Sequence, residues 1–287
     1  MLLENRPSPR ATARRPTSAL VRVARVAQPT SAKVAVFNAK SIGNKLAAIC
    51  DSITVEKPCF CAIVETWHDS ADCLSLIACT PPGYYCLERA RPRSTAHVNS
   101  MSINHGGICL LYASRYGARA VSLSVYETFK VLAVYLHGAG LNMLVVVIYR
   151  PNFTAIGSTF FDEFDDALER TATFSSAIAI VGDINIHLDV MNDPNTIKFV
   201  RSLDDHNLVQ HVFGPTHRDG HTLDVLITRS NARAPALVVE EPKLFSSDHS
   251  FISITLDLQH DDDKPVAKTG GVISTRTASP TTSCVRN

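Results

Sequence analysis

Nine short apolar runs, rich in β-branched residues and bounded by Gly, Pro, Asn or Asp, divide the middle of this 287-residue chain: 34–37, 61–64, 108–113, 129–136, 141–149, 177–181, 223–227, 236–239 and 251–256. Runs of this length read as strands, and several are apolar at consecutive positions, which requires burial on both faces. Sheets packed on each other and covered by helices satisfy that requirement. Three helices are readable. Ile42, Leu46, Ile49 and Ile53 share one face; Phe160, Phe161, Phe164 and Leu168 form a second stripe after Ser158; Ile197, Val200 and Leu203 form a third after the Asp193-Pro194 cap. These stripes are expected to be core.

With 45% hydrophobic residues the chain can fill a large core, and no apolar run approaches the roughly 20 residues that span a bilayer. An intracellular protein, nuclear or cytoplasmic, with no membrane partner is expected. The formal charge of +1 is unevenly spread: residues 1–32 hold six Arg and one acid, while 33–258 carries 18 basic against 23 acidic residues, about −5. An acidic body suits a metal site better than a non-specific nucleic-acid clamp. The basic segment 1–32 and the tail 259–287 lack an apolar period and are expected to be disordered, leaving 33–258 as the folded domain. The eight Cys lie mostly in apolar company without a C-x-x-C pair, which predicts reduced, buried thiols and no structural zinc.

The polar residues that end the apolar runs form six clusters: Asn38, Glu65, Tyr149 with Arg150, Asp183 with Asn185, Asp224, and Asp248 with His249. Strand ends of packed sheets converge on one rim although distant in sequence. Oxygen ligands, amide donors and one imidazole are what a hard divalent ion and a phosphate ester require. Taken alone, Asp-x-Asn is as readily an Asx turn, and a single Asn a cap.

Phe37-Asn38-Ala39-Lys40-Ser41-Ile42, Glu65-Thr66-Trp67, Gly106-Gly107, Tyr149-Arg150-Pro151, Gly182-Asp183-Ile184-Asn185, Thr222-Leu223-Asp224 and Ser247-Asp248-His249 occur in the order seen in the endonuclease/exonuclease/phosphatase superfamily. Over about 33–258 the chain most resembles the endonuclease domains of non-LTR (LINE-type) retrotransposons. The resemblance implies an α/β four-layer sandwich, two packed mixed β-sheets flanked by helices. It implies a Mg²⁺-dependent endonuclease, with Mn²⁺ as a substitute ion and DNA as partner, nicking a target to leave a 3′-hydroxyl that primes reverse transcription. The chain's end at residue 287 leaves no room for a reverse transcriptase, so a fragment or a stand-alone product is expected.

In that reading Glu65 and Asp248 hold the metal, with Asn38 as a neutral oxygen or supporting contact. Asp183 is the general base, Asn185 and Tyr149 donate to phosphate oxygens, and His249, oriented by Asp224, contacts the scissile phosphate. Arg150, Thr216 and Ser247 are expected beside the substrate. His187, His217 and His221 lack ligand spacing and are expected to be loop residues, and Trp67 to pack beside Glu65. The same inventory serves a phosphoesterase acting on a lipid or small-molecule phosphate. An inactive retroelement remnant is the third reading.

Overall fold

The alternation of side chains along each strand decides how the layers stack. In the computed structural model, which describes residues 31–90, 106–152, 156–174, 176–232, 236–240 and 247–257, the first strand is β1 (Ser31–Asn38). Helix α1 (Leu46–Glu56) leads from it to β2 (Phe60–Val64), parallel to β1. Helix α2 (Leu74–Ala78), β3 (Tyr84–Arg89) and β4 (Ile108–Ala113) follow. With β11 (Ala236–Glu240) and β12 (Phe251–Asp257) they form a six-stranded sheet in the order β11-β12-β1-β2-β4-β3.

The second sheet has β5 (Gly117–Val121), β6 (Lys130–Gly138), β7 (Leu141–Tyr149), β8 (Ala177–Asp183), β9 (Leu208–Gln210) and β10 (Asp224–Arg229), in the order β5-β6-β7-β8-β10-β9. β7 and β8 are parallel and are connected through α3 (Ser158–Ala172); α4 (Pro194–Asp205) lies between β8 and β9 in the chain. Both sheets are therefore mixed. The expected segments 1–32 and 259–287 lie outside the described residues except for Ser31 and Ala32, which open β1.

Three cores explain the consecutive apolar positions. Val34 and Val36 of β1, Met143, Val145 and Val147 of β7, and Val181 of β8 fill the space between the sheets. The alternate residues Ala35 and Phe37 face α1 with Ile49 and Ile53, while Leu144, Val146 and Ile148 face α3 and α4. The layer order is helix, sheet, sheet, helix, as the sequence implies. Each fully buried Val, Leu or Phe here stabilises the fold by about 1.5–3 kcal/mol relative to an exposed one.

Helix α4 departs from expectation. Asp193 caps it through Asn195 and Thr196 N–H, but its buried residues are Thr196, Phe199, Ser202 and Leu203, whereas Ile197 and Val200 are 55% and 39% exposed. Phe199 stacks on Phe164 of α3 with centroids 5.2 Å apart, and Thr196 donates to the His187 carbonyl. A large aromatic contact outweighs two aliphatic ones and turns the helix. β3, β5 and β9, unread in the sequence, are edge or near-edge strands without a two-sided apolar pattern; β9 has three residues. No helix among the described residues is long and apolar enough to cross a membrane. Among the described residues seven cysteines are free, four of them buried.

Candidate active site

The C-terminal ends of both parallel pairs open on one rim. At Gly182 an added Cβ would lie 1.9 Å from the Ile148 carbonyl oxygen, so only glycine lets β8 run beside β7 and bring Asp183 level with Tyr149. β10 enters antiparallel and sets Asp224 opposite Asp183. In the other sheet the turn after β1 is zipped to the turn after β2, with Ser41 N–H donating to the Glu65 carbonyl. Thr66 and Trp67 N–H donate to the carbonyls of Gly107 and Gly106. A Cβ on Gly107 would strike Thr66 Oγ1 at 2.5 Å. Lys40, Ser41, Glu65, Trp67 and Asn185 all have positive φ, a concentration of backbone strain around one site.

Asn38 joins the two sheets. Its Nδ2 donates to Glu65 Oε1 at 2.9 Å and to Asp183 Oδ2 at 2.8 Å, while its Oδ1 accepts from Lys40 N–H. The amide thus presents its nitrogen to the acids and holds Glu65 from behind. Trp67 Nε1 donates to Glu65 Oε2 at 3.3 Å. Asp183 also accepts from Asn185 N–H and from Asn185 Nδ2, and Asn185 Nδ2 reaches the Arg150 carbonyl. His249 Nδ1 lies 2.8 Å from Asp224 Oδ2, and Nε2 is 3.9 Å from Asp183 Oδ2.

Burial sets the proton affinities. Burial raises the Asp183 carboxyl, the Asp224 charge adds to it, and the opposing His249 and amide donors leave it at about 7. Burial alone would lower the His249 imidazole, but Asp224, followed by Asp183 and Asp248, lifts it to about 9. Burial also works against the Asp248 carboxylate, yet Lys40 more than reverses this and its pKa falls below the usual carboxylate value. An acid able to shed its proton near neutrality thus faces an imidazole that keeps its own.

Above this buried floor is a cleft of about 590 Å³ lined by Lys40, Glu65, Tyr149, Arg150, Asn185, Asp248 and His249 among others. Asn38, Asp183 and Asp224 are wholly buried beneath it. Arg150 lines the cleft, but its guanidinium donates to the carbonyls of Ile184, Asn185 and Pro151, and so braces the Asp183–Asn185 turn. Thr216 is buried, its Oγ1 accepting from Leu223 and Asp224 N–H. Ser247 Oγ donates to the Asn38 carbonyl and accepts from His249 N–H. Thr216 and Ser247 therefore support the site from behind.

The sequence reading missed the histidine wall. His187, His217 and His221 all line the cleft. His217 pairs backbone with His249 in an isolated bridge, and its Nε2 is 3.6 Å from Asp248 Oδ2. Lys40, quoted only as part of a motif, makes an ion pair with Asp248. No spacing rule finds His217 and His221, because they meet the site only through the loop that lies across from residues 247–250.

A hard divalent ion fits this donor set. Glu65 lies at the cleft, and Asp248 Oδ1 is buried with no hydrogen-bond partner, an oxygen suited to a cation. Among the described residues, Asp183, Asp224 and His249 also bring three donor atoms together, with the imidazole between two acids.

No curated protein sequence matches the chain. A family model described as endonuclease-reverse transcriptase matches residues 143–253. Among solved structures, the AP endonuclease LMAP from Leishmania major is similar with a TM-score of 0.58 at 14% identity, over 79% of this chain and 88% of that one. The endonuclease domain of TRAS1, a telomere-specific non-LTR retrotransposon, gives 0.58 at 14% identity over 80% and 99%. The 3′ phosphatase NExo from Neisseria, bound to product DNA hairpin, gives 0.56 at 14% over 79% and 99%. The chain thus shares its fold with these nucleases and phosphatases, and its residues 143–253 match the endonuclease-reverse transcriptase family model.

Proposed function

We propose that the protein is a metal-dependent endonuclease that hydrolyses a phosphodiester of DNA, with Mg²⁺ as its ion and Mn²⁺ as a substitute. One observation carries the reading: a single amide, Asn38, binds Glu65 of its own sheet and Asp183, 145 residues further along the chain, of the other, so acids of both sheets act on one point. The likeness to the TRAS1 endonuclease domain and the endonuclease-reverse transcriptase match favour DNA as substrate.

Glu65 and Asp248 would hold the ion, with Asn38 fixing Glu65; bound there, it offsets negative charge on the phosphate. The chain's own groups do the rest. Asp183 orients the attacking water and takes its proton, a task suited to a carboxyl near 7. His249, held protonated by Asp224, donates to the phosphate and stabilises the charge that builds there. Tyr149 and Asn185, on the cleft wall, fix the phosphate oxygens, Asn185 by giving up one of its two amide bonds to Asp183 and the Arg150 carbonyl.

The test is nicking of supercoiled plasmid by the purified chain with Mg²⁺. Asp183→Ala and His249→Ala should each abolish nicking while the circular dichroism spectrum is retained, and EDTA should abolish it in the parent. Full nicking by either variant refutes the assignment. Soluble phosphoesters assayed beside the plasmid decide the substrate: hydrolysis of these with intact plasmid would exchange the endonuclease for a phosphoesterase.

A further inference from the structure

One wall of the cleft carries imidazoles that the proposed reaction does not use. His187 and His221 stack with centroids 3.8 Å apart, and His221 is tied to Asp189. His217 lies further in, its ring edge-on to His249 with centroids 4.9 Å apart. His217 Nε2 faces Asp248, and the donor atoms of His217, Asp248 and His249 lie within 4.8 Å of one another.

We propose that His217, Asp248 and His249 form a second cation site, of borderline-soft character, which takes Zn²⁺ and so withdraws Asp248 and His249 from phosphate chemistry. The inhibitory half of this rests on the proposed function; the binding half stands on geometry alone.

Spacing is the first support. Donors around a four-coordinate zinc with bonds of about 2.0–2.1 Å lie roughly 3.3 Å apart. His217 Nε2 and Asp248 Oδ2 are already 3.6 Å apart. A second support is the buried Asp248 Oδ1, which has no hydrogen-bond partner. Third, the His249 imidazole has a carboxylate at its far nitrogen, as metal-bound histidines do, with Asp224 at 2.8 Å from Nδ1. His217 Nδ1 accepts from Asp219 N–H, with the Asp219 carboxylate 3.5 Å away.

The two loops that carry the donors are also locked together. His217 bridges His249, Arg218 N–H donates to the Asp248 carbonyl, and Ser250 N–H to the Thr216 carbonyl. Little ordering remains to be done on binding. Lys40 competes for Asp248, but its side chain is half exposed and can turn to solvent. Two nitrogens in the set favour zinc over the oxygen-seeking Mg²⁺, for which Glu65 is retained.

The experiment is calorimetric titration of the full chain with ZnCl₂ in the absence of DNA. The parent should bind Zn²⁺, His217→Ala should weaken binding at least tenfold, and His187→Ala and Glu65→Gln should leave it unchanged. Equal affinity in the parent and a folded His217→Ala chain overturns the site. Histidine-ring NMR of the parent tests the same point without a variant: Zn²⁺ should shift the ring signals of His217 and His249, and shifts confined to His187 and His221 overturn it. In Mg²⁺-supported nicking, His217→Ala should need at least tenfold more Zn²⁺ than the parent for half-inhibition. Failure of nicking itself, with zinc binding intact, would count against the proposed function and leave the site standing.

Discussion

Asp224 Oδ2 lies 2.8 Å from His249 Nδ1, and because the acid is fully buried its charge acts on the ring with little screening. Nicking should therefore follow a bell-shaped pH profile, rising as Asp183 loses its proton near 7 and falling as His249 loses its own near 9. Asp224→Asn removes the acid that raises the imidazole. Its alkaline limb should move to lower pH, with kcat reduced about 10²-fold on the scale of losing one charge-stabilising donor. An alkaline limb that stays in place would show that His249 does not act as a proton carrier.

Asn38→Ala should cost activity more than stability. It removes one donor each from Glu65 and Asp183, but Asp183 keeps Asn185 and Glu65 keeps Trp67. We expect a loss of about 1–3 kcal/mol in urea unfolding, the cost of one buried polar group left short of a partner. Nicking should fall by at least about 10²-fold, because Glu65 loses the shorter of its two anchoring hydrogen bonds.

Gly182→Ala should not give a native protein. The new methyl group would sit inside the Ile148 carbonyl of the neighbouring strand, and φ at Gly182 is +138°. A loss above about 4 kcal/mol is expected, read as insoluble expression or a collapsed urea midpoint. A soluble variant of parental stability would mean that β7 and β8 do not pair in this register.

The face of α4 can be tested by two substitutions. Phe199→Ala should cost about 3–5 kcal/mol, since it empties a packed position against Phe164. Ile197→Ser, on the exposed side, should change stability by no more than about 0.5 kcal/mol. The opposite order would restore the aliphatic stripe that the sequence suggests.

The sandwich was legible because two-sided burial leaves an unbroken apolar run, as in β7, and no single-layer arrangement satisfies it. Edge strands such as β5, half wet and irregular, leave no such mark. Glu65, Asp183 and His249 could be read because each follows closely on an apolar run or precedes one. The parts played by Arg150, Thr216 and Ser247 could not, since whether a polar side chain faces the cleft or braces a turn depends on contacts made across the fold. His217 was hidden for the same reason, and α4 showed that one aromatic partner, absent from any local pattern, can rotate a helix.

β1 sits between β2 and β12, so the first strand of the domain is completed by its last. Asn38 and His249 become neighbours only when that late strand is inserted, after the chain has been synthesised past residue 257. Contacts of such long sequence separation form slowly. A growing or half-folded copy consequently lacks the imidazole that completes the cleft beside Glu65 and Asp183, and the proposed activity would arrive only as the final event of maturation.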